Sequence, residues 1–134
     1  MFSADGRWLA YQSNRTGTSE IYLTSIAGDG RQIPVSKGGG WNPIWSRDGR
    51  ELYYRTDESP RPRGHMMAVA IDTTGTNPKM GTPRVLFPYS FQGDGDVASD
   101  GRFLLLKPTE QVSPSRVIQL VLNWFEELEG GRLR

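Results

Sequence analysis

Phe2-Ser3-Ala4-Asp5-Gly6-Arg7-Trp8-Leu9-Ala10-Tyr11 returns as Trp45-Ser46-Arg47-Asp48-Gly49-Arg50-Glu51-Leu52-Tyr53-Tyr54, and again as Val97-Ala98-Ser99-Asp100-Gly101-Arg102-Phe103-Leu104-Leu105-Leu106. Each copy opens on an aromatic or apolar residue, passes two small or polar residues, writes Asp-Gly-Arg and runs into apolar sequence. The copies begin 43 and then 52 residues apart. A period of roughly 40 to 50 residues matches one four-stranded blade of a β-propeller. With 134 residues the chain has room for about three such blades.

Working outward from the Asp-Gly pairs, each copy resolves into the same strand order. In the first, Phe2-Ser3 reads as the end of a strand, Trp8 to Gln12 as a second, Glu20 to Ile26 as a third and Arg31 to Ser36 as a fourth. The second gives Asn42 to Ser46, Glu51 to Arg55, His65 to Asp72 and Arg84 to Tyr89, with Pro and Gly gathered between them. The third gives Gly95 to Ala98, Arg102 to Lys107 and Val117 to Asn123, followed by helical spacing over Trp124 to Leu128. The expected fold is all-β: a partial propeller of about two and a half to three antiparallel blades with a short C-terminal helix. One partial domain covers 1–134, with blades at about 2–36, 41–90 and 93–124 and a cap at 124–134. About ten strands stand where three whole blades would hold roughly twelve, and closed propellers have roughly 4 to 8 blades. The expectation is a piece of a longer propeller whose open blade edges could self-associate.

The recurring turn has a physical reason. An Asp carboxylate accepts from nearby backbone N–H groups, and Gly takes the left-handed conformation cheaply, so Asp5-Gly6, Asp48-Gly49 and Asp100-Gly101 read as hairpin closures rather than as catalytic or metal-binding carboxylates. Arg7, Arg50 and Arg102 start the following strands, where their stems can lie along the sheet.

These residues carry a resemblance. The first copy, with Ser13-Asn14-Arg15 and Glu20-Ile21-Tyr22-Leu23 after it, and the stretch Gly39-Gly40-Trp41-Asn42-Pro43-Ile44-Trp45, resemble the repeat of the TolB-type β-propellers. The similarity runs from residue 2 to about residue 125. The ending Val121 to Leu128 is similar to the C-terminal end of propellers attached to bacterial serine/threonine protein kinases and sensors. The third copy departs most, with Ala98 in place of Ser and Val97 in place of an aromatic residue. The resemblance implies a periplasmic or extracytoplasmic, non-catalytic module that binds a protein, a peptide or a small ligand. A non-catalytic propeller portion of a prolyl-oligopeptidase-like peptidase is the alternative.

Composition narrows the partners. Sixteen Lys and Arg stand against 15 Asp and Glu, so no broad field recruits nucleic acid or anionic lipid. The chain has no Cys, which excludes disulfides and Cys-ligated metals and leaves the compartment open. The first residues carry neither a basic segment nor an apolar stretch of the export-signal kind, and the longest apolar run, Val117 to Phe125, is interrupted by Gln119 and Asn123. The expectation is a soluble chain without membrane insertion, cofactor or metal.

Catalytic constellations are missing from the pattern. The single His, His65, opens a strand, and no Gly-x-Ser-x-Gly elbow occurs. Gly28-Asp29-Gly30 and Gly93-Asp94-Gly95 do not complete a dinucleotide loop. Asp94, Asp96 and Asp100 are closely spaced but lack the spacing of a calcium loop. Because successive strands of a blade reverse direction, the Asp-Gly turns share one end of the fold, and the second-to-third-strand loops share the other with the blade connections. That second end collects Arg15, Trp41, Asn42, Arg61, Arg63 and His65 as candidate partner-binding residues. Ser59-Pro60-Arg61-Pro62-Arg63-Gly64 within it reads as a stiff basic loop suited to a carboxylate or phosphate.

Overall fold

The computed structural model describes residues 1–28, 30–57, 64–88 and 95–106. The strand expected over Val117 to Asn123, the helix expected over Trp124 to Leu128, Arg61 and Arg63 therefore lie outside the described residues. Ten strands are present among the described residues, and every pairing is antiparallel. The first sheet is β1 (Trp8–Ser13), β2 (Glu20–Ser25) and β3 (Gln32–Pro34), in that order. Phe2 bridges Leu9 on the free side of β1, so the innermost strand of this blade is present as a short segment. Its pairing is reinforced where the Ala10 N–H donates to the Met1 carbonyl at 2.9 Å and the Ser3 N–H to the Trp8 carbonyl at 2.8 Å.

The second sheet is complete, with β4 (Trp41–Trp45), β5 (Glu51–Arg55) and β6 (His65–Asp72) side by side. Its outer position is shared by two pieces, β7 (Lys79–Met80) on the far half of β6 and β8 (Arg84–Pro88) on the near half. The sequence pattern predicts only the second piece. The pairing extends because β6 runs eight residues, long enough to hold Ile71 and Asp72 against Met80 and Lys79. Between the pieces, the Gly81 N–H still reaches the Ala70 carbonyl at 2.9 Å. The third blade contributes the hairpin β9 (Gly95–Val97) and β10 (Phe103–Leu105).

Strand bounds differ from the pattern where the backbone is irregular. β4 starts at Trp41, one residue early, and its register shifts between Trp41 and Ile44. Asn42 there has a φ of 50°, a left-handed conformation that Asn tolerates better than most residues. β3 shrinks to three residues, because only Gln32, Ile33 and Pro34 pair with β2.

The core lies between blades rather than inside them. Alternation along β1 and β2 sends Trp8, Ala10, Ile21 and Leu23 to one face, where they meet Trp45, Leu52, Tyr54 and Val69 of the second blade. The opposite face of that second blade presents Ile44, Tyr53, Met66 and Phe87 to Val97 and Phe103 of the third. Phe103 sits edge-on to both Tyr53 and Phe87, with ring centroids 5.0 and 5.4 Å away. Leu52, Tyr53 and Tyr54 are consequently all buried, as befits a strand covered on both faces. Leu23 and Leu52 are fully removed from solvent, each contributing about 1.5–3 kcal/mol of burial.

Candidate functional site

The two ends of the blades do different things. At the Asp-Gly end, each carboxylate is used up by its own turn. The Ser3 hydroxyl donates to Asp5 Oδ1 at 2.6 Å and accepts from the Trp8 N–H at 3.0 Å, while Arg7 donates to Asp5 through its backbone N–H and through Nε at 3.1 and 2.8 Å. Ser46 repeats this, donating to Asp48 at 2.7 Å and accepting from the Glu51 N–H at 2.9 Å. Gly6, Gly49 and Gly101 close the turns at φ of 68°, 69° and 84°, where a side chain would be strained.

Ala98 has no hydroxyl to offer, and the third hairpin is built differently. The Ser3 and Ser46 N–H groups pair with the carbonyls of Trp8 and Glu51, five residues on, whereas the Ala98 N–H pairs with Arg102, four residues on. Asp100 keeps its bonds from the Arg102 N–H and Nε at 3.2 and 2.7 Å. The Ser3 hydroxyl, ahead of the two Arg7 bonds, lowers the Asp5 carboxyl to about 2. Ser46 and the Arg50 N–H lower Asp48, and the Arg102 N–H lowers Asp100. Asp96 caps the Val97 N–H at 2.8 Å, and Asp94 lies outside the described residues. Among the described residues no group of three or more His, Asp or Glu side chains is placed to hold a metal.

The opposite end is knit from three segments of the first two blades. The Gly40 N–H, in the connection between blades, donates to the Ser19 carbonyl at 2.8 Å. The Asn42 N–H donates to Gln12 Oε1 at 3.3 Å. Glu20 accepts from the N–H groups of Gly38 and Gly39 at 2.8 and 3.0 Å and from the Ser36 hydroxyl, anchoring the connection to the start of β2. The benzene edge of the Trp41 indole lies over Gly39, 3.0 Å from where a Cβ would stand.

These contacts frame an open depression of about 700 Å³ at the seam between the blades, lined by Gln12, Ser13, Asn14, Thr18, Ser19 and Trp41. Trp41 is half-buried there. Ser19 Oγ is buried and has no hydrogen-bond partner among the described residues. An unmet buried hydroxyl costs about 1–3 kcal/mol, and this one lies beneath the seam surface, closed to solvent.

The candidate residues are distributed unevenly. Trp41 and Asn42 meet at the seam. Arg15 instead turns its guanidinium over the Tyr22 ring, 5.1 Å from the centroid, beside the Tyr11–Tyr22 stack. His65 shares the same end of the blade but belongs to the strand ladder, its N–H donating to Thr56 Oγ1 at 3.0 Å and its carbonyl accepting from the Thr56 N–H at 2.8 Å. Sequence reasoning missed Gln12, Ser13, Asn14, Thr18 and Ser19, which read only as the end of a strand and a polar loop.

No family model and no curated protein matches the chain. Among solved structures it is similar to "putative TolB from Agrobacterium tumefaciens", with 25% sequence identity and a TM-score of 0.41. That match covers 66% of this chain, which spans 33% of the length of the other.

Proposed function

We propose that this chain is a non-catalytic binding module of a TolB-like propeller, taking a protein, peptide or small ligand at the seam between its first two blades. One observation carries the reading: an open depression at the seam that sets half-buried Trp41 beside the polar side chains of Gln12, Ser13, Asn14 and Thr18. Ligand sites combine apolar or aromatic surface with a few placed polar groups in this way. The strained backbone at Asn42, held by Gln12, stands beside it, and such strain gathers at binding sites. The opposite end supports the same reading by contrast, since its carboxylates are occupied by turns.

Mapping amide NMR shifts of the full chain against a library of peptides and small polar molecules tests this. Binding should perturb residues 12–19 and 40–42 first. Perturbations centred on the Asp-Gly turns would relocate the site and overturn the proposal.

A further inference from the structure

We infer that the face of the first blade turned away from the second is a docking surface for the third blade of a second copy of this chain, so that two copies close head to tail into one ring. This surface is separate from the seam, whether or not the seam takes a ligand.

The repeated motif tells what that face is built to meet. Phe2, Leu9 and Tyr11 hold the places in the first copy that Trp45, Leu52 and Tyr54 hold in the second. Strand pairing agrees, since Phe2 bridges Leu9 as Trp45 pairs with Leu52. Trp45, Leu52 and Tyr54 are buried in the layer they share with the first blade. Their counterparts are not. Phe2 is 60% exposed against 6% for Trp45, and Leu9 and Tyr11 are half-buried, turned outward by the alternation that sends Trp8 and Ala10 into the shared layer. Ile26, just past β2, donates its N–H to the Arg7 carbonyl at 2.9 Å and is 52% exposed. The face therefore carries the residues of an inter-blade layer in contact with solvent, and an apolar patch of that kind marks an interaction surface.

The same chain carries the other half of such a layer. Phe103 and Leu105 pack towards the second blade, so alternation along β10 sends Leu104, and after it Leu106, the other way. Both are exposed. Asp96 stands across from Leu104, while Arg15 lies over Tyr22 on the first blade, so the two faces also bring opposite charges together. Unlike faces at the two ends of one molecule make a heterologous contact, which closes into a ring where the rotation permits. One copy, with about three blades, is too short to close; two copies supply about six, within the roughly 4 to 8 of closed propellers. Two first-blade faces meeting each other would instead set Arg15 towards Arg15 and leave Leu104 and Leu106 in water.

Sedimentation velocity of the full chain between about 1 and 100 µM is the test. A species of twice the chain mass should form with a Kd below about 10 µM. Ile26→Glu and Leu104→Glu, both at exposed positions, should each weaken it at least about tenfold with the far-UV circular dichroism unchanged. Phe2→Glu and Leu106→Glu repeat the test on the same two faces should either of the first pair alter the spectrum. Mixing Ile26→Glu with Leu104→Glu should recover part of the association, because one of the two contacts then joins two parent faces. A chain that stays a single copy at about 100 µM overturns the proposal. So does association that survives Leu104→Glu and Leu106→Glu but not Ile26→Glu, which would mean first-blade faces meeting each other, and so do species that grow beyond two copies with concentration, which would mean an open array.

Discussion

Replacing Ser46 by Ala should cost more than a surface Ser ordinarily does. Its hydroxyl ties three parts of one hairpin, accepting from the Glu51 N–H at 2.9 Å and donating to Asp48 Oδ1 at 2.7 Å. Ser46 is 9% exposed, while Asp48 stands in solvent. Water can therefore replace the bond on the Asp48 side, and the N–H of half-buried Glu51 loses most. A net hydrogen bond is worth about 0.5–1.5 kcal/mol and a stranded buried donor about 1–3 kcal/mol, so the loss should total about 1–2 kcal/mol. With a urea m-value of about 2 kcal/mol/M for a chain of this size, the unfolding midpoint should fall by about 0.5–1 M. Urea titration followed by far-UV circular dichroism measures it. The Asp48 carboxyl, whose lowering owes most to Ser46, should move up in the variant when followed by carbon-13 NMR. A midpoint within about 0.2 M of the parent, or an Asp48 titration that does not move, would refute this account of the motif.

Acid should act on the Asp-Gly turns and on Asp72, which accepts from Thr74 at the end of β6. Asp5 is held at about 2 and Asp48, Asp72 and Asp100 are lowered. Their stabilisation is full above the unfolded carboxylate value of about 3.9 and is lost as pH falls from there towards 2. A urea midpoint that stays flat between about pH 5 and 2 would contradict that. Leu52→Ala empties part of the layer shared by the first two blades and should cost about 2–5 kcal/mol, read as a lowered thermal midpoint; a change under about 1 kcal/mol would mean that the layer collapses around the gap. Gly64→Ala would place a Cβ 1.8 Å from the Thr56 carbonyl oxygen. It should unfold the chain or shift the His65 and Thr56 amide resonances widely, and a parent-like spectrum would show that this approach is not so close.

The hairpins were the most legible part of the sequence, because Asp-Gly chemistry is local and its three copies repeat. The inter-blade layers were less so, since alternation marks two faces on each strand without saying which neighbouring blade each one meets. What escaped was set by distance or by small differences in register. β7 depends on how far β6 extends, which the Pro- and Gly-rich segment before β8 does not reveal. The seam joins groups as far apart as Gln12 and Asn42, 30 residues in sequence, and no spacing rule reaches across two blades. Arg15 read as a free basic side chain because its position in a polar loop does not disclose the Tyr22 ring beneath it.

The tighter third hairpin changes how the copies can be exchanged. Aligned on Asp-Gly, Phe103 falls in the column of Trp8 and Glu51. In space it stands opposite Val97 as Leu9 stands opposite Phe2 and Leu52 opposite Trp45. In copies of equal length, pairing that closes one residue sooner has inverted the parity of the strand relative to its own motif. A consensus blade averaged over the alignment would therefore mix inward with outward positions, and a strand transplanted from the third blade into the first would arrive inside out. A graft that keeps Phe103 in the core must bring Ala98 and its tighter turn along, or move over by one residue.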